Sequence, residues 1–306
     1  MLAITLISHS EAYYSTRRLI EAGQRLGHRM GRLDPVRVVL RIAGAGPNQT
    51  GASPGIFEDG IEVEVPDVVL PRIGANLGEW SLALLEAWIV RGARCPLSPA
   101  AIARASDKVM TTLRLVEANL PVIPTLAIRE PFHVDSALAL MPEDRWVLKS
   151  RVGTGGSGVA LVNGKTSARS VLGALTAARE TVLVQPHIDT TPTRDLRVLV
   201  AGWEPLCAYW REAQGDEFRA NVHRGGRTVN AAEVPEGALD LALAAARATG
   251  LPFAGIDLIE TKSGLAVLEV NASPGFQGAE EATGKDLATP FLQRWVAFYP
   301  HGGGGL

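Results

Sequence analysis

The chain contains few cysteines and has almost no net charge. Its two cysteines, Cys95 and Cys207, lie far apart and lack metal-site spacing, which excludes a disulfide framework and favours reduced thiols in a cytoplasm. Thirty basic and 32 acidic residues give a formal charge of −2. Without a general basic field, bulk electrostatics do not indicate binding to nucleic acid or an anionic membrane, so any polyanion contact must be local.

Long hydrophobic runs are also lacking. The amino-terminal stretch MLAITLISHS has no charged leader region, its apolar run is shorter than a signal peptide needs, and no segment reaches transmembrane length. We therefore expect a cytoplasmic protein with no membrane partner and no direct nucleic-acid partner. A hydrophobic fraction of 46% is ordinary for a globular protein, and 306 residues are enough for two or three lobes.

The order of elements predicts a mixed fold, α/β followed by α+β. Residues 1–95 alternate strands and helices, which predicts a lobe with a small, mostly parallel sheet. Residues 96–186 open with one long helix over PAAIARASDKVMTTLRLVEANL and continue with strands around the glycine-rich loop GTGGSG. Residues 187–306 contain further strands, an Ala-rich helix at 238–249 and a carboxyl-terminal hairpin. These three ranges are the predicted lobes.

The hairpin, FAGIDLIETKSGLAVLEVNASPG, carries the most informative chemistry. A three-residue loop at 262–264 would place Asp257 directly opposite Glu269, and strand alternation would put Asn271 on the same face. Opposed carboxylates destabilise a sheet by roughly 0.2–1 kcal/mol unless a cation lies between them. Two carboxylates and an amide oxygen suit Mg²⁺ or Mn²⁺, although a solvated hairpin face is the simpler reading of one Asp and one Glu alone.

The glycine loop has the spacing G-x-G-x-x-G at Gly153, Gly155 and Gly158, but it joins two strands instead of opening a helix. Such a loop is either an ordinary hairpin turn or a flap whose amides close over phosphates. No Walker lysine follows it, and the chain lacks the catalytic-loop aspartate of protein kinases. Lys149 precedes the loop, and Lys108 lies on the preceding helix. Two lysines, a flap and an acidic hairpin are complementary parts of a metal–nucleotide site.

These segments together resemble the ATP-grasp superfamily, specifically the RimK-like alpha-L-glutamate ligases of the ribosomal-protein group. The resemblance covers nearly the whole chain in order: LDP, VLPRIG, IARASDK, VLKS, VLVQPHI, TRDLRVLV, FRANVHRGG, AGIDLI, LEVNASPG and TGKDLA. FRANVHRGG and LEVNASPG are highly specific. The resemblance implies an ATP-grasp fold, in which a Rossmann-like pre-ATP-grasp lobe precedes two lobes that sandwich ATP.

Carried over to this sequence, the resemblance also implies a set of site residues. The nucleotide phosphates would contact Lys108 and Lys149, and the flap would consist of Gly153, Thr154, Gly155, Gly156, Ser157 and Gly158. Adenine would lie against Gln185, Pro186, His187 and Ile188, with Asp195 near the ribose. Two Mg²⁺ or Mn²⁺ ions would be bound by Asp257, Glu269 and Asn271. The transferred phosphate and the acyl-phosphate intermediate would contact Arg197, Arg219, Asn221 and Arg224.

The implied activity is that of an ADP-forming carboxylate–amine ligase. It would add an amino acid, L-glutamate, to the carboxylate of a protein C-terminus or of a small molecule through an acyl phosphate, and it would form a dimer or tetramer. One alternative is a ligase that makes a small peptide or a γ-glutamyl metabolite. Another is a non-catalytic ATP-binding regulator, against which stands the presence of all three metal ligands and both lysines.

Overall fold

The computed structural model of the chain describes residues 1–42, 53–73, 78–153, 158–215, 226–231 and 233–298. Much of the predicted surface loop AGAGPNQTGASPG lies outside these ranges. None of the helices in the described ranges is both long and apolar enough to cross a membrane.

The amino-terminal region has a parallel three-stranded sheet and a separate antiparallel one. Strand β1 lies in the middle of the parallel sheet, in the order β2-β1-β6, as the alternating pattern predicted. The elements are β1 Ala3–Ile7, α1 Tyr14–Arg25, β2 Arg29–Leu33, β3 Val38–Arg41, β4 Gly55–Glu58, β5 Ile61–Glu62, β6 Val68–Pro71 and α2 Gly78–Val90.

The central region is built on an antiparallel four-stranded sheet in the order β7-β10-β8-β9. The strands on either side of the glycine loop, β8 and β9, pair with each other, so the loop connects neighbouring strands as predicted. The elements are α3 Pro99–Ser106, α4 Lys108–Glu117, β7 Leu126–Ile128, α5 Val134–Leu140, β8 Arg145–Ser150, β9 Val159–Asn163, α6 Lys165–Ala177 and β10 Val182–Pro186.

The carboxyl-terminal region has an antiparallel five-stranded sheet in the order β13-β12-β11-β14-β15. Alanine positions on α7 pack against this sheet, because small side chains let the helix lie close to it. The elements are β11 Arg194–Ala201, β12 Glu204–Glu212, β13 Arg227–Asn230, α7 Ala238–Thr249, β14 Phe253–Thr261, β15 Gly264–Asn271, α8 Gln277–Thr283 and α9 Ala288–Ala297.

The described residues form two hydrophobic cores. A large core joins the amino-terminal and carboxyl-terminal sheets and includes Ile102 of α3 and Leu115 of α4. A smaller core lies under the central sheet and contains Trp146, which is fully buried. Helices α3 and α4 therefore follow the first lobe in sequence but pack with the large core. The lobe boundaries near residues 95 and 186 stay a prediction.

The predicted long helix over 99–120 is wrong, because Asp107 divides it into α3 and α4. Asp107 has extended backbone angles, and its side chain accepts hydrogen bonds from the amides of Val109 and Met110, which caps α4. An aspartate that caps a helix satisfies amides that the first turn leaves free. The same residue forms an isolated bridge with Val152 and an ion pair with Arg151. The break thus ties α4 to the base of the glycine loop.

Candidate active site

The acidic hairpin has the predicted register but a different turn. Asp257 pairs with Glu269, as expected. The turn, however, is a two-residue connection closed by the Thr261–Gly264 pair, and a bulge after Asp257 restores the register. The expected three-residue loop at 262–264 is therefore wrong. Bulges aim side chains at functional sites in many sheets.

Asp257 lies at the centre of a cluster of arginines. Arg197 is its neighbour across the β11–β14 pair, and its Nε and Nη2 atoms donate to the two carboxylate oxygens at 2.5 and 2.6 Å. Nη2 of Arg211 lies 2.9 Å from Oδ2 of Asp257, and Nδ2 of Asn271 donates to the same oxygen at 3.4 Å. Only 1% of the Asp257 side chain is exposed. Burial alone would raise the pKa of Asp257, but the two guanidinium groups outweigh it and lower that pKa.

Arg211 is the main site residue that the sequence interpretation missed. It lies on β12 opposite Asp195 of β11, and its Nε atom donates to Oδ1 of Asp195 at 2.6 Å. Arg211 thus links Asp195 to Asp257. Burial raises the pKa of Asp195 more than the ion pair with Arg211 lowers it. The available signal was a charged residue that directly follows the apolar run LCAYW, one residue before the strand ends at Glu212.

The two predicted lysines come from α4 and β8 and line the same cleft as the acidic hairpin. Lys108 is the first residue of α4, its Nζ atom donates to the carbonyl oxygen of Gly153 at 2.7 Å, and Nζ lies 3.7 Å from Oε1 of Glu269. Lys149 comes from β8, and burial lowers its pKa although Glu269 opposes that effect. Cations from α4 and β8 therefore converge on the acidic hairpin and the base of the glycine loop.

The same cleft has an apolar end beside β10. Gln185, Pro186, His187 and Ile188 line it, together with the side chains of Ile123, Val147, Ile259 and Leu268. The Nε2 atom of Gln185 donates to Thr125 at 2.9 Å, which fixes the orientation of its amide. A cleft with apolar walls at one end and convergent charges at the other suits a ligand with a flat apolar group and a polyanionic tail.

The donor set of the hairpin fits a magnesium ion. The described ranges contain no group of three or more His, Cys, Asp or Glu side chains arranged to bind a metal ion, so any site must use fewer of these side chains. Asp257, Glu269 and Asn271 supply two carboxylates and one amide group, and Glu269 is about one-third exposed. Both oxygens of Asp257 contact guanidinium groups in this structure, so a bound metal would replace one of those contacts. Mg²⁺ uses few protein ligands and takes the others from water and substrate phosphate. This sparse set therefore matches Mg²⁺ or Mn²⁺ bound together with a phosphate ligand.

Several predicted site residues lie outside the described residues. They are Thr154, Gly155, Gly156 and Ser157 of the glycine loop, with Arg219, Asn221 and Arg224 of the FRANVHRGG segment. Ten of the described ones line one cleft: Lys108, Lys149, Gly153, Gln185, Pro186, His187, Ile188, Asp195, Asp257 and Glu269. Arg197 and Asn271 do not line it but contact Asp257, and Gly158 does not line it either. The two cysteines are free thiols away from this cleft, as expected.

Two antiparallel sheets that enclose such a cleft, after an amino-terminal parallel sheet, define the class of ATP-grasp proteins. Residues 2–102 match the RimK PreATP-grasp domain and residues 105–295 match the RimK-like ATP-grasp domain. The chain belongs to the RimK-like ATP-grasp family, and it is an ATP-dependent, ADP-forming ligase.

Named relatives and solved structures agree with this membership. A probable alpha-L-glutamate ligase of Alkalilimnicola ehrlichii is 35% identical over 285 residues, which cover 93% of this chain and 92% of that protein. The RimK domain ATP-grasp protein of Sphaerobacter thermophilus has a TM-score of 0.73 at 19% identity and covers 96% of this chain and 99% of its own. The ATP-grasp ligase PsnB with precursor peptide PsnA2 and AMPPNP has a TM-score of 0.70 at 23% identity, with 96% and 97% covered.

Proposed function

We propose that the protein joins L-glutamate to the carboxylate of a protein C-terminus or of a small molecule. The observation that carries this proposal is the match to probable alpha-L-glutamate ligases along nearly the whole chain. The charge pattern of the cleft supports the ligase chemistry, because cations and carboxylates lie where a metal–nucleotide complex would need both. The identity of the amino acid rests on the relatives alone.

The proposed roles rest on the contacts of the described residues and, for Arg219, Asn221 and Arg224, on the resemblance alone. The lysines bind nucleotide phosphates, the segment Gln185–Ile188 holds the adenine, and Asp195 lies near the ribose. Asp257, Glu269 and Asn271 would hold two Mg²⁺ or Mn²⁺ ions, which neutralise phosphate charge when bound. The arginine group, with Asn221, steadies the transferred phosphoryl group and the acyl phosphate, and its members are Arg197, Arg211, Arg219 and Arg224.

The proposed reaction uses no covalent nucleophile of the protein. A carboxylate oxygen of the acceptor attacks the γ-phosphorus of ATP, the bond from that phosphorus to the β–γ bridging oxygen breaks, and ADP leaves. The amine of glutamate then attacks the acyl carbon, inorganic phosphate leaves, and the amine loses a proton as the amide forms. Positioning and fixed cations supply most of the rate enhancement in phosphoryl transfer. The glycine loop would exclude water that could hydrolyse the acyl phosphate.

ADP release by the purified protein tests the proposal. The assay uses ATP and Mg²⁺ with a panel of amino acids, each with and without protein and small-molecule carboxylates. We expect release only when glutamate and one acceptor are both present. Release with other pairs would support the small-peptide or γ-glutamyl alternative, whereas tight ATP binding without release under any pair would support the regulator. Light scattering on the same sample measures whether the expected dimer or tetramer forms.

A further inference from the structure

The segment that leads into β7 runs from the carboxyl-terminal sheet to the central sheet. Val122 forms an isolated parallel bridge with β15. Thr125 directly precedes β7, whose first residue, Leu126, pairs with Val184 of β10 in antiparallel register. Because the next residue of β10 is Gln185, this register brings Thr125 beside Gln185. A residue that the sequence interpretation did not assign thus lies directly behind the apolar end of the cleft.

The hydroxyl group of Thr125 makes two hydrogen bonds whose directions are fixed by its single proton. Its Oγ1 atom lies 2.8 Å from the carbonyl oxygen of Ile123, which can only accept, so the proton is donated there. The side-chain amide of Gln185 lies 2.9 Å from the same Oγ1 atom. With its proton committed, Oγ1 can only accept from Gln185, so the amide nitrogen, Nε2, is the end that faces Thr125. The Oε1 end of the amide is left for another partner.

Gln185 lies on the face of the central sheet that lines the cleft. It pairs with Val147 across β10 and β8, and both residues line the cleft. Gln185 is only 6% exposed, and within the described ranges no group donates a hydrogen bond to its Oε1 atom. The next residue, Pro186, has no backbone N–H and so supplies no donor. A ligand at this point of the cleft therefore meets an acceptor that needs a donor.

We propose that Thr125 is a positioning residue for nucleotide selection: by holding Nε2 of Gln185, it presents Oε1 to the base and makes the cleft favour a 6-amino purine over a 6-oxo purine. This inference rests on the proposed placement of adenine against the segment Gln185–Ile188. An amino group donates to Oε1, whereas an oxo group would set two buried acceptors against each other and leave both unpaired. Sites built around a hydrogen bond to the substrate strongly reject an analogue that cannot form it.

Calorimetric titration with ATP and with ITP, each in the presence of Mg²⁺, measures this preference. ITP has a 6-oxo group where ATP has a 6-amino group. We expect the wild type to bind ATP about a hundredfold more tightly, which corresponds to about 2.8 kcal/mol at 1.4 kcal/mol per tenfold. Thr125→Val removes the acceptor at nearly constant shape, so the Gln185 amide can turn and donate to the oxo group. Its affinity for ITP should rise, and its preference for ATP should fall to about tenfold or less.

Two further variants separate positioning from a loss of structure. Thr125→Ser keeps the hydroxyl group and should keep the preference for ATP. Thr176→Val is the matched control, because Thr176 is another threonine of the central region whose hydroxyl donates to a backbone carbonyl, that of Leu172, at 2.7 Å, but it lies on α6 and does not line the cleft. A change that only loosens the fold lowers the affinity for both nucleotides, so a gain in ITP affinity is specific to the turned amide.

Gln185→Leu distinguishes failure of this inference from failure of the adenine placement. It removes both ends of the amide and should lose the preference for ATP. If Thr125→Val keeps the wild-type preference while Gln185→Leu loses it, the positioning role is overturned and the placement of adenine is not. If neither variant changes the preference, or if the wild type binds ATP and ITP equally, both are overturned. The titration needs no amino acid and no acceptor, so its result is independent of whether glutamate is the amine substrate.

Discussion

Asp257→Asn and Glu269→Gln should have the same effect on catalysis and different effects on stability. Asp257 is buried and accepts three short contacts from Arg197 and Arg211, so an amide there leaves two buried cations without their carboxylate. Breaking a buried ion pair costs about 3–5 kcal/mol. Glu269 is one-third exposed, and within the described ranges its one ion pair is a 3.7 Å contact to Lys108. Exposed pairs of that kind contribute about 0–1 kcal/mol.

Thermal unfolding monitored by circular dichroism measures this difference. A shift of about 2–4 °C per kcal/mol gives a midpoint at least about 6 °C lower for Asp257→Asn and at most about 4 °C lower for Glu269→Gln. Both variants should lose ADP release, because each removes a proposed metal ligand. Asp240→Asn, an exposed acidic residue in the first turn of α7, serves as a control with an unchanged midpoint. Equal midpoints for the Asp257 and Glu269 variants would refute the reasoning.

Three further outcomes are expected. Burial would raise the pKa of Glu280, but hydrogen bonds from Arg18 and other donors outweigh it and lower that pKa. A lowered pKa stabilises the fold at pH values above the unfolded pKa of about 4.3. The thermal unfolding midpoint of Glu280→Gln should therefore lie below that of the wild type at pH 7, and this difference should shrink below about pH 4; a constant difference would contradict the pKa argument. Gly255→Ala places a methyl group 2.8 Å from Pro274 and should lower both the midpoint and ADP release, whereas unchanged release would argue against the close packing of that segment. Asp107→Ala removes the cap of α4 and should cost about 1 kcal/mol, while Asp107→Asn keeps the cap and should cost less; equal losses would mean that capping is not the cause.

Much of the site was predictable because its chemistry is local in sequence. The strand alternation that put Asp257 opposite Glu269 follows from the pleat, and the helix over 238–249 follows from its apolar period and flanking glycines. The hairpin turn was harder, since a two-residue turn with a bulge and a three-residue turn give the same register at Asp257. Sequence spacing alone cannot distinguish those two arrangements.

The remaining features depend on contacts between distant segments. Arg211 is linked to Asp257 only because β11 lies between their strands in the sheet, and no spacing in the sequence indicates that order. The break at Asp107 was missed because ASDK continues a helical apolar pattern, whereas the bridge to Val152 is a tertiary contact. The two carboxylates of the hairpin looked equivalent in sequence, but in the part of the chain that the structure describes only Asp257 is enclosed by arginines.

The pairing of Asp107 with Val152 and Arg151 has a mechanical consequence. It links α4, which packs with the large core, to the end of β8 in the central sheet, so the two cores share a direct backbone contact at this strip. At the same strip the amide of Lys108 donates to the carbonyl oxygen of Arg151 and its Nζ atom donates to that of Gly153, so any shift of the central sheet relative to the large core would be felt at Lys108.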